Sequence, residues 1–231
     1  MRCALTLPML LLLGGVPLRG NPAPPSQQVV DRIVARVEDD IITLSGLRQL
    51  AAYQQLIEGR AEPEDRLRSE LIEQWVINNE ATAAHFPEPA ASEVDHEVTQ
   101  IENRSPSPQA YRERLTALAL SAADVRRMVT REIYLARYLD YKFRPSVQVS
   151  DDDIAKYYRD ELVRALTAKG EKPPALSAVN DQISELLIQK GIDDRAASWM
   201  DQTKSRLKIE IEDEAGAPSA GAPSQPAAGA R

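Results

Sequence analysis

Residues able to carry covalent or metal chemistry are scarce in this sequence. Its single cysteine, Cys3, lies in an apolar N-terminal stretch. A chain that loses that stretch holds no thiol, which excludes disulfides, thiol nucleophiles and cysteine zinc sites. The two histidines, His85 and His96, stand eleven positions apart, a spacing that fits no common metal motif. Both fall in or just beyond amphipathic segments with polar neighbours, and no Gly-x-Ser-x-Gly occurs, so a Ser-His-Asp hydrolase has no support. The phosphate-cradling patterns G-x-x-x-x-G-K and G-x-G-x-x-G are also missing from the sequence. Asp151-Asp152-Asp153 is a cluster of carboxylates, but it follows Ser150 and reads as charge that favours a helix start, not as a metal site. The expectation is no catalytic residue, no metal and no cofactor.

Composition narrows the class further. The net charge is −7 and no basic cluster stands out, which argues against nucleic-acid binding. Only 10 glycines in 231 residues are few for a β-rich chain of tight turns, so a mainly helical fold is expected. Met1-Arg2, the apolar run Ala4 to Leu13, the breakers Gly14, Gly15 and Pro17, and the small Gly20 have the layout of a removable secretory signal over 1–20. The run is too short to span a bilayer, and no cysteine follows it for lipid attachment. Residues 21–29 are Pro-rich and read as a flexible lead. At the other end, 213–231 is rich in Pro, Ala, Gly and Ser, lacks any aliphatic residue larger than Ala, and is expected to be a disordered tail.

The elements between them follow from periodicity and punctuation. Ile33, Ala35 and Val37 alternate with Val34 and Arg36, as in a strand. Glu38-Asp39-Asp40 reads as a turn and Ile41-Ile42-Thr43 as a second strand. Ser45 is the expected N-cap of a helix over 46–58. A helix over 64–86 opens on acidic residues, carries Leu67, Leu71, Trp75 and Phe86 on one stripe, and ends before Pro87 and Pro89. Shorter helices follow over 91–103, with Val94, Val98 and Ile101 on one face, and over 108–118. Ser121 to Asp124 resembles a capping box that starts a helix over 122–143, stopped by Pro145. Val147 to Val149 is extended. Ser150 caps a helix over 151–167, and a polar linker leads to a long helix over 176–205. That last helix turns Val179, Ile183, Leu186, Leu187 and Trp199 inward, and Gly191 is expected to bend it.

Leu207 to Ile211 alternates as a half-buried strand. A lone strand is not stable, so it needs the edge of the 30–43 hairpin, and the two ends of the folded region would meet in one sheet. Lys208, Glu210, Arg36 and Asp31 would then face solvent together. The fold expected is mainly α: a multi-helix domain over 30–212, with a helical core over 30–149, C-terminal helices and a returning strand over 150–212, and a small sheet joining hairpin and strand.

The order of these segments resembles one family. Val30-Asp31-Arg32-Ile33-Val34-Ala35-Arg36-Val37 through Thr43-Leu44-Ser45 is similar to the opening of SurA-like periplasmic chaperones. Leu71 to Ala81, Ser107 to Tyr111, Leu120 to Arg126 and Val149 to Tyr158 resemble its later helices and helix openings, and Arg206 to Ile211 resembles its return to the sheet. The resemblance implies a peptide-binding fold of the trigger-factor/SurA type that holds unfolded outer-membrane or secreted proteins in the periplasm. Members usually carry parvulin-type isomerase domains between the helix that starts near Ser150 and the final long helix. Here Leu166 to Ala175 fills that place, so the resemblance implies a chaperone without isomerase activity.

Binding an unfolded client needs an apolar concave surface with few obligatory polar contacts. The candidate client-binding residues are Tyr53 and Leu56 on the first helix, Trp75 on the second, and Tyr111, Tyr134 and Tyr138 further on. Expected partners are unfolded or extended polypeptides, with no nucleic acid and no stable membrane anchor, and a homo-oligomer is compatible with this reading. The alternative is a scaffold or adaptor that uses the same helical domain for one folded partner in an envelope complex.

Overall fold

A computed structural model describes residues 31–212. The expected signal (1–20), flexible lead (21–29) and tail (213–231) lie outside the described residues. Strand β1 (Ile33–Val37) and strand β2 (Asp40–Thr43) form an antiparallel hairpin. Strand β3 (Ile209–Ile211) pairs antiparallel with the other edge of β1, giving the sheet order β2-β1-β3. Between hairpin and returning strand run α1 (Leu44–Glu58), α2 (Glu64–Ala83), α3 (Ala91–Asn103), α4 (Pro108–Ala117) and α5 (Ala122–Phe143). Then come α6 (Asp151–Tyr157), a π-helical segment Tyr158–Val163, α7 (Arg164–Ala168) and the long α8 (Leu176–Lys204). The fold is mainly α with the small sheet expected.

The hairpin departs from simple alternation at Val34. The register runs Ile33 to Thr43 and then Ala35 to Ile42, so one extra residue of β1 sits opposite the step. Such a bulge re-aims a side chain, and Val34 is buried together with Ala35 and Val37. Val34 therefore joins Ala35 and Val37 in one buried cluster, where alternation placed it beside Arg36. Arg36 itself is half-buried and reaches Glu212 at 3.3 Å, while Lys208 pairs with Glu210 at 3.1 Å.

Side-chain caps start α1, α4, α5 and α6, with one correction, while α2, α3 and α8 start without one. Thr43, not Ser45, is the N-cap of α1: its Oγ1 accepts from the Gly46 N–H at 3.3 Å. Ser45 instead donates its hydroxyl, and its backbone N–H at 3.2 Å, to Asp31. These bonds, the Ser45 hydroxyl first and Thr43 next, hold the Asp31 carboxyl below its ordinary range. Ser121 and Asp124 do form a capping box at α5, and Ser150 and Asp153 form another at α6. Bonding to Ser121 is the main cause that brings the Asp124 carboxyl down to about 2.

Helix ends also differ from expectation. α2 stops at Ala83, three residues short of Phe86, because His85 takes a left-handed φ of 53° and Phe86 N–H bonds back to the Ala81 carbonyl at 3.0 Å. This reversal satisfies carbonyls that the helix end would leave open. α4 ends the same way, with Ala119 at φ 53° and Leu120 bonded to the Leu115 carbonyl. The helix expected over 151–167 is present as helical chain, but its middle is widened into π geometry. In α8, Leu186 points outward and is 46% exposed, whereas Ile183, Ile192 and Met200 are the buried residues.

α5 is the spine of the packing. Its first half meets α1, α3 and α4 in a cluster that includes Tyr53, Val94, Tyr111 and Val129. Its second half meets α2 and α8 around Val76, Tyr134, Tyr138 and Met200. A third cluster seats the sheet on α1 and α2 through Val34, Val37, Leu47, Leu50, Leu67 and Ile72. Burying each such aliphatic side chain contributes roughly 1.5–3 kcal/mol, which is what fixes the helices around α5.

Candidate functional site

The helices do not close fully along α5. A cleft of about 310 Å³ opens between α1, α2 and α5. Leu50 and Ile57 of α1 and Met128, Leu135 and Leu139 of α5 supply its apolar walls. It continues over Tyr53, Ile57, Glu132 and Ala136 into a second hollow of about 260 Å³ between α1, α3 and α5, with Ile101 and Ile133 on its walls. On the other side Leu139 is shared with a third hollow of about 230 Å³, where Ile77 of α2 faces Ala197 and Met200 of α8. The three hollows share lining residues and follow one another along α5 as a track.

The rim of this track is acidic. Glu58, Glu70 and Glu132 line the central hollow with Arg131, and Glu97 and Arg104 line the neighbouring one. Tyr53 Oη donates to Glu132 Oε2 at 2.7 Å. Burial, then that bond and the nearby charges of Glu132 and Glu97, push the Tyr53 phenol far above its ordinary value, so Tyr53 is a neutral donor. Glu70 is half-buried. Its Oε2 accepts from Gln54 Nε2 at 2.8 Å and its Oε1 from Gln74 Nε2 at 3.1 Å. Burial is the largest cause raising its carboxyl above the usual range. Repulsion from Glu73 and Glu58 adds to it, and the Gln74 and Gln54 amides oppose it.

The six residues singled out from the sequence divide by location. Tyr53 sits in the core with its hydroxyl at the junction of two hollows. Leu56 and Tyr111 pack inside the α1–α3–α4–α5 cluster. Tyr134 and Tyr138 lie inside the α2–α5–α8 cluster, their rings 5.7 and 5.5 Å from Phe86. Trp75 is half-buried between two clusters and donates Nε1 to Asp40 at 2.8 Å. Only Tyr53 among them lines the track. The residues that sequence reasoning passed over are Ile57, Leu139 and Glu70. Glu70 carried a readable signal: it lies three positions after Leu67 and four before Gln74, so a carboxylate occupies the inward side of α2.

Other features bear on chemistry and membranes. Among the described residues, no group of three or more His, Cys, Asp or Glu is placed to hold a metal ion. His85 and His96 are both exposed. No helix of the described residues is long and apolar enough to cross a membrane. Among the described residues, four large apolar side chains stand out to solvent, Ile41, Tyr141, Leu186 and Ile211, with Tyr141 65% exposed against Phe86 at 5.4 Å.

No protein-family model matches the chain. Two curated proteins are similar to it. One is the "Putative peptidyl-prolyl cis-trans isomerase NifM" of Azotobacter vinelandii, 28% identical over 134 residues, which are 57% of this chain and 45% of the relative. The other is the chaperone SurA of Pseudomonas fluorescens (strain Pf0-1), 25% identical over 153 residues, 62% of this chain and 35% of the relative. The chain thus matches less than half the length of either relative, and the likeness to SurA supports, at this distance, the SurA-like resemblance read from its residues.

Proposed function

We propose that this chain is an exported holdase that binds unfolded outer-membrane or secreted polypeptides in the periplasm, without prolyl isomerase activity. The observation that carries the reading is the succession of hollows with apolar walls along α5, a surface suited to apolar side chains of an extended segment. The similarity to a SurA chaperone supports it independently. The short polar connection 169–175 between α7 and α8 supports the part that concerns isomerisation, since it stands where the resembled family carries parvulin domains. The periplasmic location rests on the signal-like sequence of residues 1–20 and on the SurA likeness.

Light scattering from a denatured outer-membrane protein diluted out of urea tests the holding activity. Near-stoichiometric addition of this protein is expected to suppress the rise in scattering. Unchanged aggregation in the presence of folded protein would sink the proposal. A proline-peptide assay on the same preparation is expected to give only the uncatalysed rate, and acceleration would overturn the second half of the reading.

A further inference from the structure

The central hollow has an electrostatic asymmetry that its apolar walls do not explain. Glu70 is half-buried, yet its two oxygens are met by neutral amides alone, from Gln54 and Gln74. The charged groups that face it from the packed helices are Glu58 of α1, Glu73 of α2, and Glu132 and Arg131 of α5. Among these, Glu73 is already paired with Lys204 at 2.9 Å and Glu132 accepts from Tyr53. Arg131 is the only basic residue among the described residues lining the hollow, and it makes no ion pair with Glu70. Beside Glu70, the Gln74 Oε1 is buried and accepts no hydrogen bond from the described residues. Glu70 therefore lines the hollow as a half-buried carboxylate with no cationic partner among the described residues. Such a group is costly without a counter-ion.

We propose that this hollow receives a lysine or arginine side chain of an extended client, with the cationic head on Glu70 and the methylene stem along the apolar wall that Ile57 and Leu135 supply. The inference rests on the holdase reading and specifies which segments the track selects: those in which a basic residue interrupts an apolar stretch. The stem suits such walls because lysine and arginine bury their methylenes while keeping the charge at a polar tip. The opposing charge relieves the repulsion that Glu58 and Glu73 impose on Glu70. The neighbouring hollows, walled by Ile101 and Ile133 on one side and Ile77 and Met200 on the other, take the flanking apolar residues.

Fluorescence anisotropy with the full chain and two labelled extended peptides tests this. The peptides are identical and apolar except at one central position, lysine in one and norleucine in the other. The wild-type protein is expected to bind the lysine peptide about tenfold more tightly, in line with a charge-assisted bond in a partly dry site. Glu70→Gln, which keeps shape and removes charge, is expected to bring the two peptides within about twofold of each other. Equal binding of both peptides by wild type, or a lysine preference that survives in folded Glu70→Gln, overturns the basic-residue assignment but leaves the holdase reading standing. Binding of neither peptide overturns both. The wild-type comparison needs no variant, so misfolding of Glu70→Gln would not remove the test. If a second copy of this chain fills the hollow, sedimentation will show a dimer that Glu70→Gln dissociates, which also overturns the assignment.

Discussion

Tyr53 and Tyr111 are both buried core tyrosines that differ at one atom. Tyr53 Oη has Glu132 as its acceptor at 2.7 Å, whereas Tyr111 Oη is buried without a partner among the described residues. A net hydrogen bond is worth about 1 kcal/mol, and an unmet buried hydroxyl carries a desolvation cost of similar size. Tyr53→Phe is therefore expected to lower the unfolding free energy by about 1 kcal/mol, and Tyr111→Phe to leave it unchanged or raise it. Urea denaturation, read as a change in midpoint at constant slope, distinguishes the two. Equal losses would mean that Tyr111 finds a partner in solution. The same pair shows what the sequence could and could not reveal at this scale. Apolar residues at helical spacing mark inward faces, and Tyr53, Leu56, Tyr111, Tyr134 and Tyr138, chosen as candidates for client binding, are all buried on such faces. Whether an inward face meets another helix or a gap depends on where neighbouring helices diverge, and no spacing rule contains that. Ile57 and Leu139 line the track for this reason while Leu56 does not. Glu70 was the exception, because a carboxylate on an apolar stripe is a local signal.

At the scale of elements, legibility tracked the strength of the punctuation. α3 and α5 run over the spans expected, since a proline pair and a capping box bound them. The start of α1 was missed because Thr43 and Ser45 are both good caps, and only the position of Asp31 in space gives Ser45 another partner. Val34 was misassigned because a bulge is a property of two strands together, not of one. Gly191 was read as a bend, but it lies within a continuous α8 where that helix crosses the extended segment after α5. An added Cβ there would lie 2.6 Å from Val147 Cγ1. Alanine gains about 1 kcal/mol over glycine in an open helix interior, so Gly191→Ala sets that gain against a clash with a stiff β-branched neighbour. The clash is expected to win, giving a net loss of about 1–3 kcal/mol, the usual range for overpacking. In a Val147→Ala background the same change should become neutral or stabilising. Thermal unfolding of the four proteins in this cycle isolates the coupling, and additivity would show that Gly191 matters through backbone freedom instead.

For the molecule as a whole, the decisive arrangement is that the two ends of the described chain share one sheet. β1 is central, with β2 on one edge and β3 on the other. Glu38 N–H bonds to the Lys208 carbonyl at 2.9 Å, and Glu212 N–H to the Val34 carbonyl at 3.1 Å, so the ladder extends past both ends of β3. Leu207 and Ile209 pack on the sheet cluster that α1 and α2 also share. This closure holds α8 against α2 and α5, and thereby fixes the wall that Ala197 and Met200 give to the third hollow. Ending the chain after Arg206 removes β3 and uncovers the apolar edge of β1. Two half-buried aliphatic side chains and their ladder bonds amount to about 2–3 kcal/mol. For a domain of this size each kcal/mol moves Tm by about 2–4 °C, so a drop of roughly 5–10 °C is expected in differential scanning calorimetry. Hydrogen exchange should quicken at β1 and along the last turns of α8 together, although they lie at opposite ends of the chain. If only the residues next to the truncation lose protection, the sheet is not what couples the termini, and the α8 wall of the track must be held by its contacts with α2 and α5 alone.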